Sequence, residues 1–189
     1  MLHPTDVLHA LLTMPPQRTA DAPADRRGIY GLIDHAGRLS YIGCVAVPSE
    51  SFRKRIHHRH RTGSETHSHY FSKVYCTGRM WRDRLTQRGD PDAKAAKDLR
   101  SAFIAQHCRA VWVPIDDAVQ SIPTLETAVI RLAPPEAKRW NANTGLIYDE
   151  PVELVDATIE AMGMTADQQA ALERQRMQFE DRCYRTSAA

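Results

Sequence analysis

The sequence predicts an α+β fold, and three observations lead to that prediction. Two β-prone segments, residues 27–33 and 38–44, stand on either side of a short loop that contains Gly37. A third short apolar segment, residues 110–115, comes much later in the chain. The segments before, between and after these strands carry apolar residues at helical spacing instead of in alternation. A hairpin and a lone strand embedded among helices are typical of α+β proteins.

The amino-terminal region is predicted to be a helix followed by a linker. Residues 4–13 form an amphipathic pattern for which Thr5 is a suitable cap, and residues 15–25 are rich in Pro, Ala and Asp. We therefore expect residues 1–25 to precede the main domain. The hairpin comes next, because a short loop that contains Gly is of the length that closes antiparallel strands.

A helix is predicted after the hairpin. Ser49 or Ser51 can cap it, Phe52 and Ile56 lie one turn apart, and Gly63 should end it. Two more helices are expected beyond that point, at residues 69–88 and 92–107. Arg88-Gly89-Asp90-Pro91 separates them, and its Gly, Asp and Pro are strong turn formers.

The next helix should begin at Ser121 or Thr124 and end at Pro134-Pro135, which cannot continue it. Residues 151–183 predict two acidic helices, the second capped by Thr165. We therefore expect a main domain over residues 26–148, with a helical insert over about 62–107. Residues 149–189 should form an acidic helical extension packed on the same domain.

Composition excludes several classes of protein. The chain has 189 residues, enough for one domain with additions, and no apolar run of the length that spans a membrane. Its amino terminus lacks the basic region of a signal peptide, so we expect a cytoplasmic protein. The four cysteines (Cys44, Cys76, Cys108 and Cys183) form no Cys-x-x-Cys pair, which argues against a disulfide framework and a ribbon-type zinc site.

Charge is distributed unevenly along the chain. Residues 51–61 hold five Lys or Arg and no acid, whereas residues 149–181 hold nine acids against two Arg. Basic side chains at Arg53, Lys54, Arg59 and Arg61 can neutralise nucleic-acid phosphates. A solvated helix face is the structural alternative. The neighbouring histidines could suggest zinc, but adjacent side chains on a helix point in different directions, which argues against a shared ion.

Five short motifs occur in a fixed order between residues 28 and 141. Gly28-Ile29-Tyr30 is followed after ten residues by Tyr41-Ile42-Gly43, and then by Phe52-x-x-Arg55-Ile56. Leu125-Glu126 and Trp140-Asn141 complete the series. Each motif alone is ordinary sequence. Together and in this order they resemble the GIY-YIG nuclease family.

The resemblance implies a small domain with a three-stranded antiparallel sheet flanked by helices. It implies an endonuclease that cuts phosphodiester bonds in DNA with one Mg²⁺ or Mn²⁺ ion per active site. The roles it implies place Tyr30 near the attacking water, Tyr41 in the wall of the site and Arg55 against the scissile phosphate. Glu126 would hold the metal and Asn141 would support the site.

These roles agree with the chemistry of the residue types. Arg55 can donate two N–H groups to phosphate oxygens, which Lys cannot. We expect Glu126 in the first turn of its helix, where the helix dipole favours its charged form and a hard cation. The ordinary pKa of Tyr is about 10, so Tyr30 acts as a base only if nearby cations favour its phenolate.

The sequence departs from the family pattern at three places. Many members have His one turn after the Arg, where this chain has Arg59 between His58 and His60. His58, His60 or neither could take that role, and we name His58 as the candidate. A second His of the family is matched by His67, which precedes Ser68, or by His69. We place His67 among the candidate nucleic-acid-binding residues. Cys44 stands where the family often has Lys, so that phosphate contact is missing.

Several functional alternatives stay open at this stage. A compact nuclease resembles the small restriction or defence enzymes of the family, and cleavage of a palindromic duplex would favour a homodimer. A single-strand- or structure-specific nuclease is one alternative, and a non-catalytic nucleic-acid-binding protein on a nuclease scaffold is another. The insert over 62–107 is either a DNA-recognition element or a pair of structural helices.

Overall fold

The computed structural model describes residues 1–65, 67–116, 120–142 and 146–187. The chain divides into two compact units. The first contains residues 1–60 and 107–145, and the second contains residues 61–106 and 146–189. Every motif residue of the nuclease resemblance lies in the first unit.

An antiparallel sheet forms the framework of the first unit. Its strands are β1 (Gln17–Arg18), β2 (Gly28–Ile33), β3 (Leu39–Val45) and β4 (Arg109–Pro114), and their spatial order is β1-β4-β2-β3. The predicted α+β class is confirmed. The sheet has four strands where three were predicted, because two extended residues of the expected linker pair with the open edge of β4.

The hairpin between β2 and β3 is stabilised by its loop, as predicted. Oδ1 of the buried Asp34 accepts hydrogen bonds from the backbone N–H groups of Ala36 (3.0 Å) and Arg38 (2.8 Å). Gly37 adopts a φ of +76°, a left-handed conformation that other residues rarely take. This loop fixes the register in which Tyr30 lies opposite Gly43.

One face of the sheet is covered by two helices, α1 (Pro4–Thr13) and α4 (Ile122–Leu132). Both helices carry apolar residues at helical spacing, which is why each buries one side. Their core contains Val7, Leu11, Ile29, Ile33, Ile42, Val111, Ile115, Ile122, Leu125, Val129 and Ala133. His3, and not Thr5 as predicted, caps α1, since its Nδ1 accepts from the Thr5 N–H.

A π-helix, Lys54–His60, follows the hairpin. The predicted cap is present: Ser51 Oγ accepts a hydrogen bond of 3.3 Å from the Lys54 N–H. Phe52 and Ile56 are fully buried. The sequence predicted a helix here but not its π geometry, in which hydrogen bonds join residues five apart instead of four.

The second unit is helical. Its helices are α2 (Tyr70–Val74), α3 (Pro91–His107), α5 (Val152–Ala161) and α6 (Ala166–Ser187), with a 3₁₀ turn at Gly78–Met80. The predicted split between the last two helices is confirmed. Thr165 Oγ1 accepts from the Gln168 N–H (3.3 Å), and Gln168 Oε1 accepts from the Thr165 N–H (2.9 Å), which is a capping box.

The helix predicted over residues 69–88 was wrong beyond Val74. Gly78 has a φ of +50°, and a Cβ there would overlap the Glu150 carboxylate. That carboxylate accepts 2.6 Å hydrogen bonds from the backbone N–H and Nε of Arg79. These long-range contacts replace the helical hydrogen bonds that local sequence favoured.

A buried charge network stabilises the second unit. The Arg100 side chain is 1% exposed and pairs with the Glu65 carboxylate, which also accepts a 3.1 Å hydrogen bond from Arg82. Arg100 donates a further hydrogen bond to the Met80 carbonyl (3.1 Å). No helix in the described part of the chain has both the length and the apolar character that a membrane span needs.

Candidate active site

The second face of the sheet carries Tyr30 and Tyr41. Side chains alternate along a strand, and Tyr30 pairs with Gly43 while Tyr41 pairs with Leu32, so the two tyrosines are diagonal neighbours on one face. Their ring centroids lie 6.0 Å apart. Both side chains are buried. The hairpin register therefore brings together the two tyrosines that the sequence proposed for the site.

Gly43 leaves space for the Tyr30 hydroxyl. A Cβ atom at residue 43 would lie 2.7 Å from that oxygen and 2.6 Å from Cε1 of Tyr41. Real Cβ atoms do not approach other atoms so closely, so any larger residue must displace one of the tyrosines. Packing against Tyr30 of the first motif therefore requires glycine at position 43, the last residue of Tyr41-Ile42-Gly43.

The π-helix brings His60 to the tyrosines. His60 Nε2 lies 2.7 Å from the Tyr30 hydroxyl oxygen, and the His60 ring centroid is 5.6 Å from each tyrosine ring. Phe52 packs edge-on against Tyr30 at 6.5 Å. His60 is completely buried, although it lies in a strongly basic segment. Its burial and its hydrogen bond make it the histidine of the candidate site.

His58, the histidine predicted for this role, lies elsewhere. Its side chain is exposed, and its ring contacts His57 at a centroid distance of 5.2 Å. His60 follows Arg55 by five residues, and a π-helix bonds residues at that spacing. The family pattern has His four residues after the Arg, whereas His60 follows Arg55 by five, and this extra residue is the feature of the sequence that fits a π-helix. π-helical turns are frequent at functional sites.

Arg55 lies beside the Tyr30 hydroxyl. Burial raises the pKa of Tyr30 well above its ordinary value, and it outweighs the charge and hydrogen bond of Arg55 and a hydrogen bond with Tyr41, which lower the pKa. The charge of Glu126 raises it further. The condition stated for Tyr30 to act as a base by itself is therefore not met, because desolvation has a larger effect on its pKa than the nearby cation. Tyr30 is a protonated hydroxyl at neutral pH.

Glu126 projects from α4 in its second turn. The expectation that it lies in the first turn was wrong, because the helix begins at Ile122. The dipole of the helix terminus therefore acts on it less than predicted. Its half-buried carboxylate accepts, at Oε2, a 3.0 Å hydrogen bond from the Cys44 thiol. Burial raises the pKa of Cys44 to about 12, with the Glu126 hydrogen bond and charge adding to the effect.

Asn141 supports the edge strand of the sheet. Its Oδ1 accepts from the Ile42 N–H (3.0 Å), and its Nδ2 donates to the Ile42 carbonyl (2.7 Å). The neighbouring Trp140 N–H donates to the Ser40 carbonyl (3.0 Å). The Asn141 side chain thus takes the place of a neighbouring strand between Tyr41 and Gly43. Its predicted role in supporting the site stays a prediction.

The donor chemistry at Glu126 suits a hard divalent cation. The described residues include no group of three or more His, Cys, Asp or Glu placed to share a metal. Mg²⁺ needs no such group, because it keeps several waters and binds through one or two carboxylates and substrate phosphates. Oε2 is engaged by Cys44, and Oε1 of Glu126 accepts no hydrogen bond from the described residues. Glu126 is the side chain that would hold it.

The predicted nucleic-acid-binding residues fall into two groups. Arg53 directly precedes the π-helix, and Lys54 and Arg59 lie in it. All three side chains are exposed. Lys54 Nζ donates to the Ser49 carbonyl (2.8 Å), and Arg59 pairs with Glu50 at 2.6 Å. These side chains form the basic surface of the first unit.

Arg61 and His67 belong to the second unit. Arg61 donates a 2.8 Å hydrogen bond to Ser101 Oγ, and burial lowers its pKa. His67 is exposed, and its carbonyl accepts a 2.7 Å hydrogen bond from the His69 N–H. The hydrogen bond between Arg61 and Ser101 therefore lies within the second unit.

Comparison of the chain with protein-family models, with curated proteins and with solved structures found no match in any of the three.

Proposed function

We propose that the protein is a divalent-metal-dependent endonuclease that hydrolyses phosphodiester bonds in DNA by GIY-YIG-type chemistry. The observation that carries the proposal is the Tyr30–His60 hydrogen bond of 2.7 Å, with Arg55 beside the same hydroxyl. A base, a hydroxyl and a phosphate-binding cation are thereby joined in one cluster. The sequence motifs that resemble the nuclease family supply these same residues, apart from His60.

Proton transfer is assigned to Tyr30 and His60 together. Because the pKa of Tyr30 is raised, its phenolate is not available at neutral pH without a partner. A neutral His60 accepts the Tyr30 proton at Nε2 while the Tyr30 oxygen takes a proton from the attacking water. The water oxygen forms the new bond to phosphorus, the bond to the leaving oxygen breaks, and solvent supplies the proton of the leaving group.

Charge stabilisation is assigned to Arg55 and Glu126. Arg55 can donate to two oxygens of the phosphate that gains charge in the transition state. Glu126 would hold the cation. When bound, that ion supplies Lewis-acid stabilisation of the phosphoryl and leaving oxygens. Tyr30 and His60 are therefore assigned to proton transfer, and Arg55 and Glu126 to charge neutralisation.

Arg55 is more exposed than the two residues beside it. Tyr30 and His60 have no solvent-exposed surface, whereas Arg55 is partly exposed. An incoming phosphate can therefore reach the Arg55 guanidinium from solvent.

The basic surface is assigned to DNA binding. Arg53 and Lys54 are exposed cations near the candidate site along the chain, and Arg59 shares its charge with Glu50. Phosphate contacts of this type give affinity without sequence recognition and weaken as salt rises. We assign the strongest contribution to Arg53 and Lys54, because no carboxylate pairs with them among the described residues.

The complete burial of Tyr30 and His60 favours a second candidate, a nucleic-acid-binding protein that does not cleave. In that case the aromatic cluster serves the core and the basic surface alone carries the function. A carboxylate at Glu126, whose charge acts on Tyr30, favours the nuclease, since binding of an anion gains nothing from an added negative charge.

The deciding experiment is cleavage of three substrates: supercoiled plasmid, single-stranded circular DNA and a structured RNA. Wild-type protein and Glu126→Gln are compared in Mg²⁺ and in EDTA. Metal-dependent cleavage that Glu126→Gln loses supports the nuclease. Discrete linear bands from plasmid indicate a restriction-type enzyme acting as a homodimer, and preference for the single-stranded circle indicates a structure- or strand-specific enzyme. DNA binding without cleavage supports the second candidate.

A further inference from the structure

Cys44 and Glu126 form a contact that the proposed chemistry has not used. Cys44 lies on β3, next to Gly43, and Glu126 lies on α4, 82 residues later in the chain. The Cys44 Sγ atom lies 3.0 Å from Oε2 of Glu126. Among the described residues, this thiol is the one hydrogen-bond donor to that carboxylate. The carboxylate therefore depends on Cys44 for its orientation.

The contact has a defined consequence for the geometry of the carboxylate. A Glu side chain has three rotatable bonds, and a half-buried Glu without a donor can turn its oxygens in several directions. The thiol, fixed on the backbone of β3, holds Oε2 and leaves Oε1 open. Thiolate ligands select softer metals, so the protonated thiol is suited to orienting the carboxylate and not to binding a hard ion itself.

We propose that Cys44 is a positioning residue for the cation site: its S–H group orients the Glu126 carboxylate so that Oε1 is presented to a divalent ion. This inference rests on the proposed function. Groups that orient a metal ligand typically change metal affinity by about 10- to 100-fold when they are removed. The effect of losing the Cys44 donor is therefore expected in metal affinity first, with turnover at saturating metal changed little.

The test compares Cys44→Val, which removes the donor, with Cys44→Ser, which replaces it by a hydroxyl donor. Cys183→Ser is the matched control, because that cysteine is exposed on α6. The readout that does not require cleavage is Mn²⁺-induced broadening of the amide NMR signals of residues 44 and 126. The Mg²⁺ concentration for half-maximal plasmid cleavage and the unfolding midpoint of each variant are measured in parallel.

We expect Cys44→Val to need about 10-fold more Mn²⁺ or Mg²⁺, and Cys44→Ser and Cys183→Ser to stay within about threefold of wild type. Equal Mn²⁺ binding by wild type and a folded Cys44→Val overturns the positioning role. If Cys44→Val fails to fold, Cys44→Ala takes its place. If the wild-type protein cleaves DNA and binds Mn²⁺ at these residues, the proposed nuclease function is supported whatever the Cys44 variants do. Wild type that does neither removes both proposals.

Discussion

The Tyr30 hydroxyl and His60 Nε2 lie 2.7 Å apart, inside a cluster to which the sheet contributes the hydroxyl and a π-helix contributes the imidazole. The two residues are 30 positions apart in the chain. Their contact requires both the hairpin register, which turns Tyr30 away from the α1 and α4 core, and the extra residue of the π-helix. The proposed proton relay depends on this pair.

His60→Ala is expected to lower plasmid cleavage by about 100-fold or more, the usual contribution of a general base. His58→Ala is the matched control, since His58 is exposed and two residues away, and it should keep cleavage within about threefold of wild type. Initial rates of nicking in Mg²⁺ measure both. Equal losses in the two variants would mean that the imidazole of His60 has no special role.

Arg55→Lys should lower cleavage by about 100-fold, because Lys keeps the charge but cannot donate to two phosphate oxygens at once. DNA affinity should change much less. The control is Arg53→Ala, at the exposed surface. This variant is expected to weaken DNA binding and to reduce the slope of log affinity against log salt concentration by about 1, with little effect on the cleavage rate at saturating DNA. An Arg55→Lys variant that loses only affinity would make Arg55 an anchor.

The sequence predicted the elements that local rules determine. The hairpin loop, the Ser51 cap and the Thr165 cap each depend on residues within a few positions of one another. The choice between His58 and His60 stayed open, because the sequence predicted a helix here but not the π geometry that brings His60 to Tyr30. The Cys44–Glu126 contact joins two elements far apart in sequence, and no local pattern reports it.

Contacts between distant parts of the chain also explain what the sequence did not predict. A helix over residues 69–88 fits local preference, but Gly78 and the Glu150 carboxylate impose a turn from a distant part of the chain. The sequence left the protonation state of Tyr30 open, because it shows cations nearby in the chain but not the burial of the ring. Burial, which depends on the folded core, has the larger effect on its pKa. Sequence therefore indicates which residue types could meet at a site, whereas their protonation states depend on the fold.

Gly43→Ala should destabilise the first unit by about 1–3 kcal/mol, since its Cβ must displace Tyr30 or Tyr41. Cleavage should fall with it. Gly37→Asn is the control, because no atom lies within 4 Å of a Cβ there and Asn tolerates the left-handed conformation. Urea unfolding of both variants gives the comparison. An unchanged midpoint for Gly43→Ala would contradict the close approach at Tyr30.

The stability of the protein should depend on Glu65 above pH 4. Burial raises the pKa of Glu65, but Arg100 and Arg82 outweigh it and the pKa is lowered. A carboxyl with a lowered pKa stabilises the fold above the unfolded value of about 4.3, and this stability is lost as pH falls through the folded value. Glu65→Gln should therefore cost about 3 kcal/mol at pH 7 and progressively less below pH 4.

Asp98→Asn is the control for Glu65. Asp98 pairs with Lys94, whose side chain is 76% exposed, so its loss should cost less than about 1 kcal/mol. Urea unfolding at pH 7 and at several values below pH 4 measures both variants. A constant difference between wild type and Glu65→Gln across this range would show that the lowered pKa is not the source of the stability.

Cys44 should be slow to alkylate at pH 8. Its pKa of about 12 leaves a thiolate fraction of about 10⁻⁴ at that pH, and only the thiolate reacts. The labelling rate should rise about tenfold per pH unit while the protein stays folded. Mass spectrometry after brief treatment with iodoacetamide should find the exposed Cys183 modified first. Labelling of Cys44 as fast as Cys183 would contradict a half-buried, protonated thiol at Cys44.

The most direct test of the central claim is nicking of supercoiled plasmid by wild type and by Tyr30→Phe, each in Mg²⁺ and in EDTA. The substitution removes one oxygen atom from a buried ring and leaves its packing in place. We predict that wild type nicks the plasmid only with Mg²⁺, and that Tyr30→Phe is slower by about 100-fold or more while still folded. Undiminished nicking by Tyr30→Phe would contradict the account.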